Sequence, residues 1–139
     1  MPTVSFHTHN IKFILKDKLY IKSFIARIFA EEGVEFKSVS YIFCHDEFLL
    51  KLNQEYLKHN TLTDILTFTL SNSPLPIISE IYISIDRVQE NAIERKVPFE
   101  NELHRVMIHG ILHLCGYSDH TSEEKTEMRS KEDHYLSLL

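Results

Sequence analysis

The stretch Phe99–His120, FENELHRVMIHGILHLCGYSDH, joins an apolar helical pattern to four histidines, an aspartate and two of the chain's three glycines. Up to Cys115 its apolar residues recur at helical spacing and become dense toward the end, which predicts a buried helix. Gly116 is expected to end this helix, because a residue without a Cβ readily adopts the left-handed conformation in which many helices terminate. We therefore expect a central helix followed by a reversal of the chain.

Gly110 lies inside this predicted helix, where glycine costs about 1 kcal/mol relative to alanine. A cost of this kind indicates that the helix needs close contact at this point, either with a neighbouring part of the chain or with a ligand. The glycine is therefore expected to shape the surroundings of the helix.

The segments around the helix predict an α+β domain. β-branched and aromatic runs predict short strands, and apolar residues at intervals of three and four predict helices. The expected strands are residues 4–6, 39–44, 64–70 and 80–85, with a loop at residues 71–79. The expected helices are residues 11–32, 45–56, 86–96 and 99–115. A capping box at Thr121 and Glu124 opens a last helix. At 139 residues and 43% hydrophobic content, the chain fits one domain, residues 1–139, with a small mixed β-sheet covered by helices.

Charge and composition restrict the class of protein. The formal net charge of -5 offers no overall basic surface, so nucleic-acid binding requires a local basic patch or a metal ion. The two cysteines, Cys44 and Cys115, do not form the framework of a disulfide-stabilised secreted domain. The chain shows neither a secretory signal pattern nor a run of about 18 apolar residues. These features predict a cytoplasmic protein without a membrane partner.

His109 and His113 have the spacing of a metal site on a helix. Four helical residues turn the chain by about 400°, so the two rings project one above the other from the same face. The reversal after Gly116 brings Asp119 and His120 back toward them, and either can supply a third ligand. We therefore expect a metal site at the end of the central helix, in preference to a structural role for these residues in the core or as caps.

Two neighbouring residues fail as ligands on geometry. His104 lies about 140° around the helix from His109, and Cys115 lies about 200° from His113. Three protein ligands without a fourth leave a coordination position open for water, as catalytic zinc sites do. A zinc ion lowers the pKa of such a water to about 7, which makes hydrolysis the expected chemistry.

The residue after His109 bears on the kind of hydrolysis. Zinc peptidases of the H-E-x-x-H type carry their general base there as a glutamate, whereas this chain has Gly110. A zinc metallopeptidase-like hydrolase is therefore the second hypothesis.

The motif as a whole resembles the signature of the YbeY family of metal-dependent, single-strand-specific endoribonucleases. The matching residues are His109, Gly110, Leu112, His113, Leu114, Gly116 and Tyr117, with upstream blocks at Leu52, Asn53, Tyr56, residues 63–66, Phe68, residues 80–81 and 83–84, Glu102 and Leu103. The match is firm over residues 50–130, and the N-terminal third follows the family only in its order of elements.

The resemblance implies functions that composition and periodicity do not indicate. It implies an α+β fold with one zinc ion in a cleft, and single-stranded RNA, in particular rRNA, as substrate. It further implies a role in 16S rRNA 3′-end maturation and ribosome quality control, with the ribosome or ribosomal proteins as partners. DNA is not expected as a substrate.

The chain departs from the family at two places that concern the site. The family has its third ligand six residues after the second histidine, a position that Asp119 occupies here, with His120 next; register favours Asp119 and ligand type favours His120. The family also has an arginine where this chain has Leu57, so that its contact with RNA passes to Lys58 or His59, or is absent. Its absence would suit a third hypothesis, a non-catalytic metal-binding factor of the ribosome.

Overall fold

The computed structural model describes residues 1–58 and 63–139, and this part of the chain contains four strands and five helices. The strands are β1 (Thr3–Thr8), β2 (Phe36–Cys44), β3 (Ile65–Thr69) and β4 (Ile77–Ser84), and the helices are α1 (Lys18–Glu31), α2 (Asp46–Tyr56), α3 (Ile85–Arg95), α4 (Phe99–Leu114) and α5 (Ser122–Leu138). None of the helices in the described ranges is long and apolar enough to cross a membrane. The α+β prediction is confirmed.

The four strands form one mixed sheet in the order β1-β2-β4-β3. β1 and β4 both run parallel to β2, and β3 runs antiparallel to β4. On one face of the sheet, side chains of alternate strand residues, such as Tyr41 and Ile81, pack with α1 and α4 in the main core. On the opposite face, Leu66 packs with Leu49 of α2. The mixed sheet covered by helices that the sequence predicts is therefore present.

The starts of three elements differ from the prediction by more than one residue, and one of them is β2, which begins at Phe36 and not at residue 39. α1 begins at Lys18 and not at residue 11, because Asp17 has a left-handed backbone (φ 57°) that does not continue a helix in the N-terminal direction. β4 begins at Ile77, inside the predicted loop, because Ile77 pairs with Phe36 of β2. The prolines of the predicted loop end at Pro76, so they do not interrupt the strand. Pairing between distant segments thus extends a strand into residues that resemble a loop.

Gly110 allows α4 to lie close to the sheet. A Cβ at this position would stand 2.9 Å from Cδ1 of Ile65 and 3.3 Å from Cδ1 of Ile81. Real Cβ atoms do not approach other carbons this closely, so a larger residue would displace the helix or these two side chains. The close contact between α4 and the side chains of Ile65 and Ile81 therefore accounts for the glycine at this position.

Candidate metal centre

The end of α4 is shaped by Gly116. Its backbone has φ +101°, and its N–H donates to the His113 carbonyl at 3.0 Å, while the Tyr117 N–H donates to the Leu112 carbonyl at 3.0 Å. These two bonds form a Schellman motif, which satisfies the last carbonyls of a helix while the chain turns away. The expectation that Gly116 ends the helix in a left-handed conformation is confirmed, and the turn leads directly to Asp119.

His109 and His113 direct the same ring nitrogen toward each other. Their Nε2 atoms are 2.9 Å apart. The Nδ1 atom of His109 lies 2.7 Å from Oε2 of Glu132, and Nδ1 of His113 lies 2.9 Å from the Tyr117 carbonyl oxygen. Because both of these partners are acceptors, each Nδ1 carries the proton of a neutral ring, and both Nε2 atoms then present lone pairs.

Asp119 completes the group. Its Oδ2 atom lies 3.4 Å from Nε2 of His109 and 3.5 Å from Nε2 of His113. One ligand atom from each of the three residues lies within 4.8 Å of the others, so the group can hold a metal ion. His120 is exposed and does not belong to this group.

The chemistry of these donors fits a cation. Two lone pairs and a carboxylate oxygen that converge on one point repel each other unless a positive charge lies between them, and a proton or a metal ion can supply it. Two imidazoles and one carboxylate form a common ligand set of catalytic zinc. The side chains of His109, His113 and Asp119 are 21%, 32% and 35% exposed, so a ligand can reach the group from solvent.

The electrostatics around His109 favour positive charge. Burial opposes a charge on its ring, but the hydrogen bond to Glu132 and the negative charges of Glu132, Asp119 and Asp64 outweigh this effect and raise the pKa of His109. Burial likewise opposes the charge of Glu132, and hydrogen bonds from His109 and Arg105 outweigh it and lower the pKa of that carboxyl. The surroundings therefore stabilise a cation at this position.

A cavity of about 320 Å³ opens beside His109 and Asp119. Among the residues that line it are four cations from three helices: Arg95 of α3, Arg105 of α4, and Lys125 and Arg129 of α5. Carboxylates also line the cavity. One of them is Asp64, and burial raises the pKa of its carboxyl group. The lining next to the candidate site therefore carries basic and acidic side chains together, and Nε of Arg95 and of Arg129 lie 3.6 and 3.8 Å from Oε1 of Glu102 and of Glu132.

A second network holds the turn from the other side. Glu32, the residue that ends α1, accepts hydrogen bonds from the hydroxyl groups of Tyr117 (2.7 Å) and Tyr135, and from Nζ of Lys131 (3.3 Å). Since the carbonyl of Tyr117 accepts the proton of His113, this carboxylate helps to position the turn that orients the second histidine.

The Glu32 network predicts a loss of stability in acid. Burial opposes the charge of Glu32, but the hydrogen bonds from Tyr135, Tyr117 and Lys131 prevail and lower its pKa below the ordinary 4.5. Its contribution is therefore present above about pH 4.5 and lost as the pH falls through the lower folded value. We expect Glu32→Gln to reduce the free energy of unfolding by about 1–3 kcal/mol at pH 7. Urea denaturation from pH 7 to 3 should show a shallower decline for the variant, and equal slopes would contradict the prediction.

Three further residues considered in the sequence, Lys58, His59 and His104, lie outside the group formed by His109, His113 and Asp119 or outside the described residues. Lys58 follows α2, is exposed and has a left-handed backbone (φ 55°), and it is not among the residues that line the cavity beside His109. Its role in phosphate binding stays a prediction. His59 lies outside the described residues. His104 lines a separate, smaller cavity with Phe13, in agreement with its exclusion as a ligand.

The contact of Glu132 with His109 was not predicted from the sequence. α5 is mostly polar, and its buried residues are Met128, Glu132 and Tyr135. Their spacing of four and three places them on one face of the helix, so a glutamate between two apolar residues on a predicted buried face was the available signal. It indicates a buried charge that needs a partner, but it does not identify His109, 23 residues earlier, as that partner.

Fold and site together define a class of protein: a small α+β domain in which two histidines on the last two turns of a central helix and an aspartate after it form a candidate metal site. The family model described as "Endoribonuclease YbeY" matches residues 4–139. The chain belongs to the endoribonuclease YbeY family, as the resemblance of its motif predicts.

Individual relatives agree with this assignment. The chain is 45% identical over 136 residues to the Endoribonuclease YbeY of Flavobacterium psychrophilum, covering 98% of this chain and 96% of the relative. It is 42% identical to that of Amoebophilus asiaticus, covering 96% and 90%. The solution structure of TM1509 from Thermotoga maritima superposes with a TM-score of 0.66 at 29% identity, covering 97% of this chain and 87% of that one.

Proposed function

We propose that this protein is a zinc-dependent, single-strand-specific endoribonuclease that acts in the cytoplasm on rRNA, in 16S rRNA 3′-end maturation and ribosome quality control. One zinc ion is held by His109, His113 and Asp119. The observation that carries the proposal is the convergence of two Nε2 lone pairs and a carboxylate oxygen, beside a partly basic cavity, in a chain of the endoribonuclease YbeY family. Ribosomal proteins are the proposed partners that present the strand.

The residues of the chain divide the work of the reaction. A zinc ion held by His109, His113 and Asp119 would supply Lewis acidity toward a phosphate oxygen and would offset the charge that develops there. His109 and His113 keep Nε2 unprotonated by donating from Nδ1 to Glu132 and to the Tyr117 carbonyl. The partial exposure of all three ligands leaves one side of the group open to an RNA phosphate.

Cations beside the site provide the remaining contacts with RNA. Arg95, Lys125 and Arg129 line the cavity next to His109 and are the proposed contacts for phosphates of the RNA. Lys58 is proposed as a further phosphate contact in place of the family arginine; a lysine offers a point charge where an arginine offers a planar fork. Such contacts make cleavage sensitive to salt, since each phosphate bound releases counterions.

The proposal is tested with a labelled single-stranded RNA and purified protein. We expect cleavage that stops when a chelator removes the metal and returns when zinc is added, with much weaker cleavage of duplex RNA and of single-stranded DNA. Lys58→Ala in the same assay should lower the rate if Lys58 contacts phosphate.

Three outcomes would overturn the proposal. Cleavage that continues in the chelator at full rate would show that no metal takes part. Zinc binding without RNA cleavage would favour the non-catalytic ribosome factor, and cleavage of a peptide substrate instead would favour the metallopeptidase.

A further inference from the structure

Glu132 is the most deeply buried charged group in contact with the candidate metal centre. Its side chain is 7% exposed, and Oε2 lies 2.7 Å from Nδ1 of His109. Its other oxygen, Oε1, accepts a hydrogen bond of 2.9 Å from Nη1 of Arg105, whose Nη2 donates to Asp133 at 2.8 Å. Both carboxylate oxygens of Glu132 are therefore engaged, one by a guanidinium and the other by a ligand histidine.

This arrangement selects one form of the His109 ring. A neutral imidazole carries one proton, on either Nδ1 or Nε2, and a carboxylate can only accept. With Oε2 of Glu132 at Nδ1, the proton stays on Nδ1 and the lone pair of Nε2 is directed toward His113 and Asp119. A carboxylate in this position also makes the ring a stronger base and limits its rotation.

Arg105 gives the carboxylate its direction. A glutamate on a helix has several rotatable bonds, and the ion pair with Arg105 restricts them. The Arg105 side chain is only 16% exposed, and a second ion pair, with Asp133, holds its guanidinium in place. A largely buried arginine therefore orients Glu132. The path from Asp133 through Arg105 and Glu132 to His109 joins α5 to the last turns of α4.

We propose that Glu132 is the positioning residue of the metal centre, which fixes the tautomer and orientation of His109 so that Nε2 binds the ion. The inference rests on the proposed function, because it needs His109 to be a ligand. Removal of a residue in this role lowers metal affinity by about 10–100-fold in characterised sites, without removing a ligand.

Glutamine is the informative replacement because it keeps the size of Glu132 but has one acceptor. Arg105 has only donors, so the amide oxygen of the glutamine faces the arginine and its NH₂ group faces Nδ1 of His109. The ring must then accept at Nδ1 and carry its proton on Nε2, where the metal would bind. Glu132→Gln therefore reverses the tautomer while every ligand stays in place.

The experiment is a measurement of zinc affinity by competition with a chromophoric chelator, on wild type and three variants at one pH. We expect Glu132→Gln to lose about 10–100-fold in affinity. Glu127→Gln, the same change at an exposed position of α5, should bind like wild type. Arg105→Met removes the 2.9 Å ion pair with Oε1, while Arg129 stays 3.8 Å from that oxygen and the carboxylate stays beside His109, so we expect a clearly smaller loss than for Glu132→Gln.

Two results would overturn the inference and leave the proposed function standing: Glu132→Gln that binds within about threefold of wild type, or Arg105→Met that loses as much as Glu132→Gln. The second would show that Glu132 acts only through its ion pair. Failure of the wild type itself to bind zinc would overturn the proposed function, and this inference with it.

A measurement on the wild type alone covers the case in which Glu132→Gln fails to fold. In the zinc-loaded protein, nitrogen-15 NMR of the histidine rings should show His109 with a slowly exchanging proton on Nδ1 and no proton on Nε2. Fast exchange at Nδ1 would contradict the role assigned to Glu132, whereas a proton on Nε2 would show that His109 does not bind the ion and would overturn the proposed function.

Discussion

Replacing His113 with alanine is expected to abolish stoichiometric zinc binding and, with it, cleavage of single-stranded RNA. Nε2 of His113 lies 2.9 Å from Nε2 of His109 and 3.5 Å from Oδ2 of Asp119, so its ring occupies one side of the proposed site. Structural zinc sites bind with about 10–16 kcal/mol over four ligands, or about 2.5–4 kcal/mol for each ligand. The loss of one ligand then corresponds to a decrease in affinity of roughly 100- to 1,000-fold.

The fold should survive this change. His113 is 32% exposed, and the bonds that end α4 run through backbone atoms of Leu112, His113, Gly116 and Tyr117, all of which remain. We expect the free energy of unfolding without metal to change by about 1 kcal/mol or less. Loss of zinc together with loss of the fold would therefore point to a different explanation.

His104→Ala provides the matched control for His113→Ala. His104 lies on the same helix but lines another cavity, and burial lowers the pKa of its ring. The zinc content of both variants is measured by elemental analysis after dialysis. The comparison distinguishes the loss of a zinc ligand from the effect of removing any histidine from this helix. Full zinc stoichiometry in His113→Ala, or equal losses in both variants, would mean that the ligand assignment is wrong.

The parts of the site that the sequence predicts are those that lie close together along the chain. The distance between His109 and His113 follows from the helical repeat, and Gly116 has a conformation that a glycine there readily adopts. The capping box at Thr121 and Glu124 is likewise confirmed, since its two hydrogen bonds involve residues three apart. Local geometry is sufficient for each of these features.

The parts that the sequence does not predict depend on contacts between distant segments. Glu132 reaches His109 only because α5 packs along α4, and no periodic pattern states which helices are neighbours. The order of the strands is a similar case: β4 lies between β2 and β3, and its first residues, Ile77 and Ile78, acquire strand structure by pairing with β2. Tertiary packing, and not local preference, determines both features.

Asp119→Ala is expected to lower zinc affinity about as much as His113→Ala, by roughly 100-fold or more, whereas His120→Ala should change it by less than about threefold. Oδ2 of Asp119 lies almost equally far from the two Nε2 atoms, at 3.4 and 3.5 Å, while His120 is exposed. Zinc titration of both variants tests the assignment. Metal retained by Asp119→Ala and lost by His120→Ala would make His120 the third ligand.

Asp119→His distinguishes the position of the third ligand from its charge. An imidazole at residue 119 is again a zinc ligand, so this variant should bind zinc far more tightly than Asp119→Ala if the position is correct. It also removes one negative charge: a zinc ion with two histidines and one carboxylate has a net charge of +1, and with three histidines +2. Because a more positive ion would lower the pKa of the attacking hydroxyl more strongly, we expect Asp119→His to cleave RNA with an optimum at lower pH than wild type. Binding as weak as that of Asp119→Ala would show instead that the turn after Gly116 does not present residue 119 to the ion.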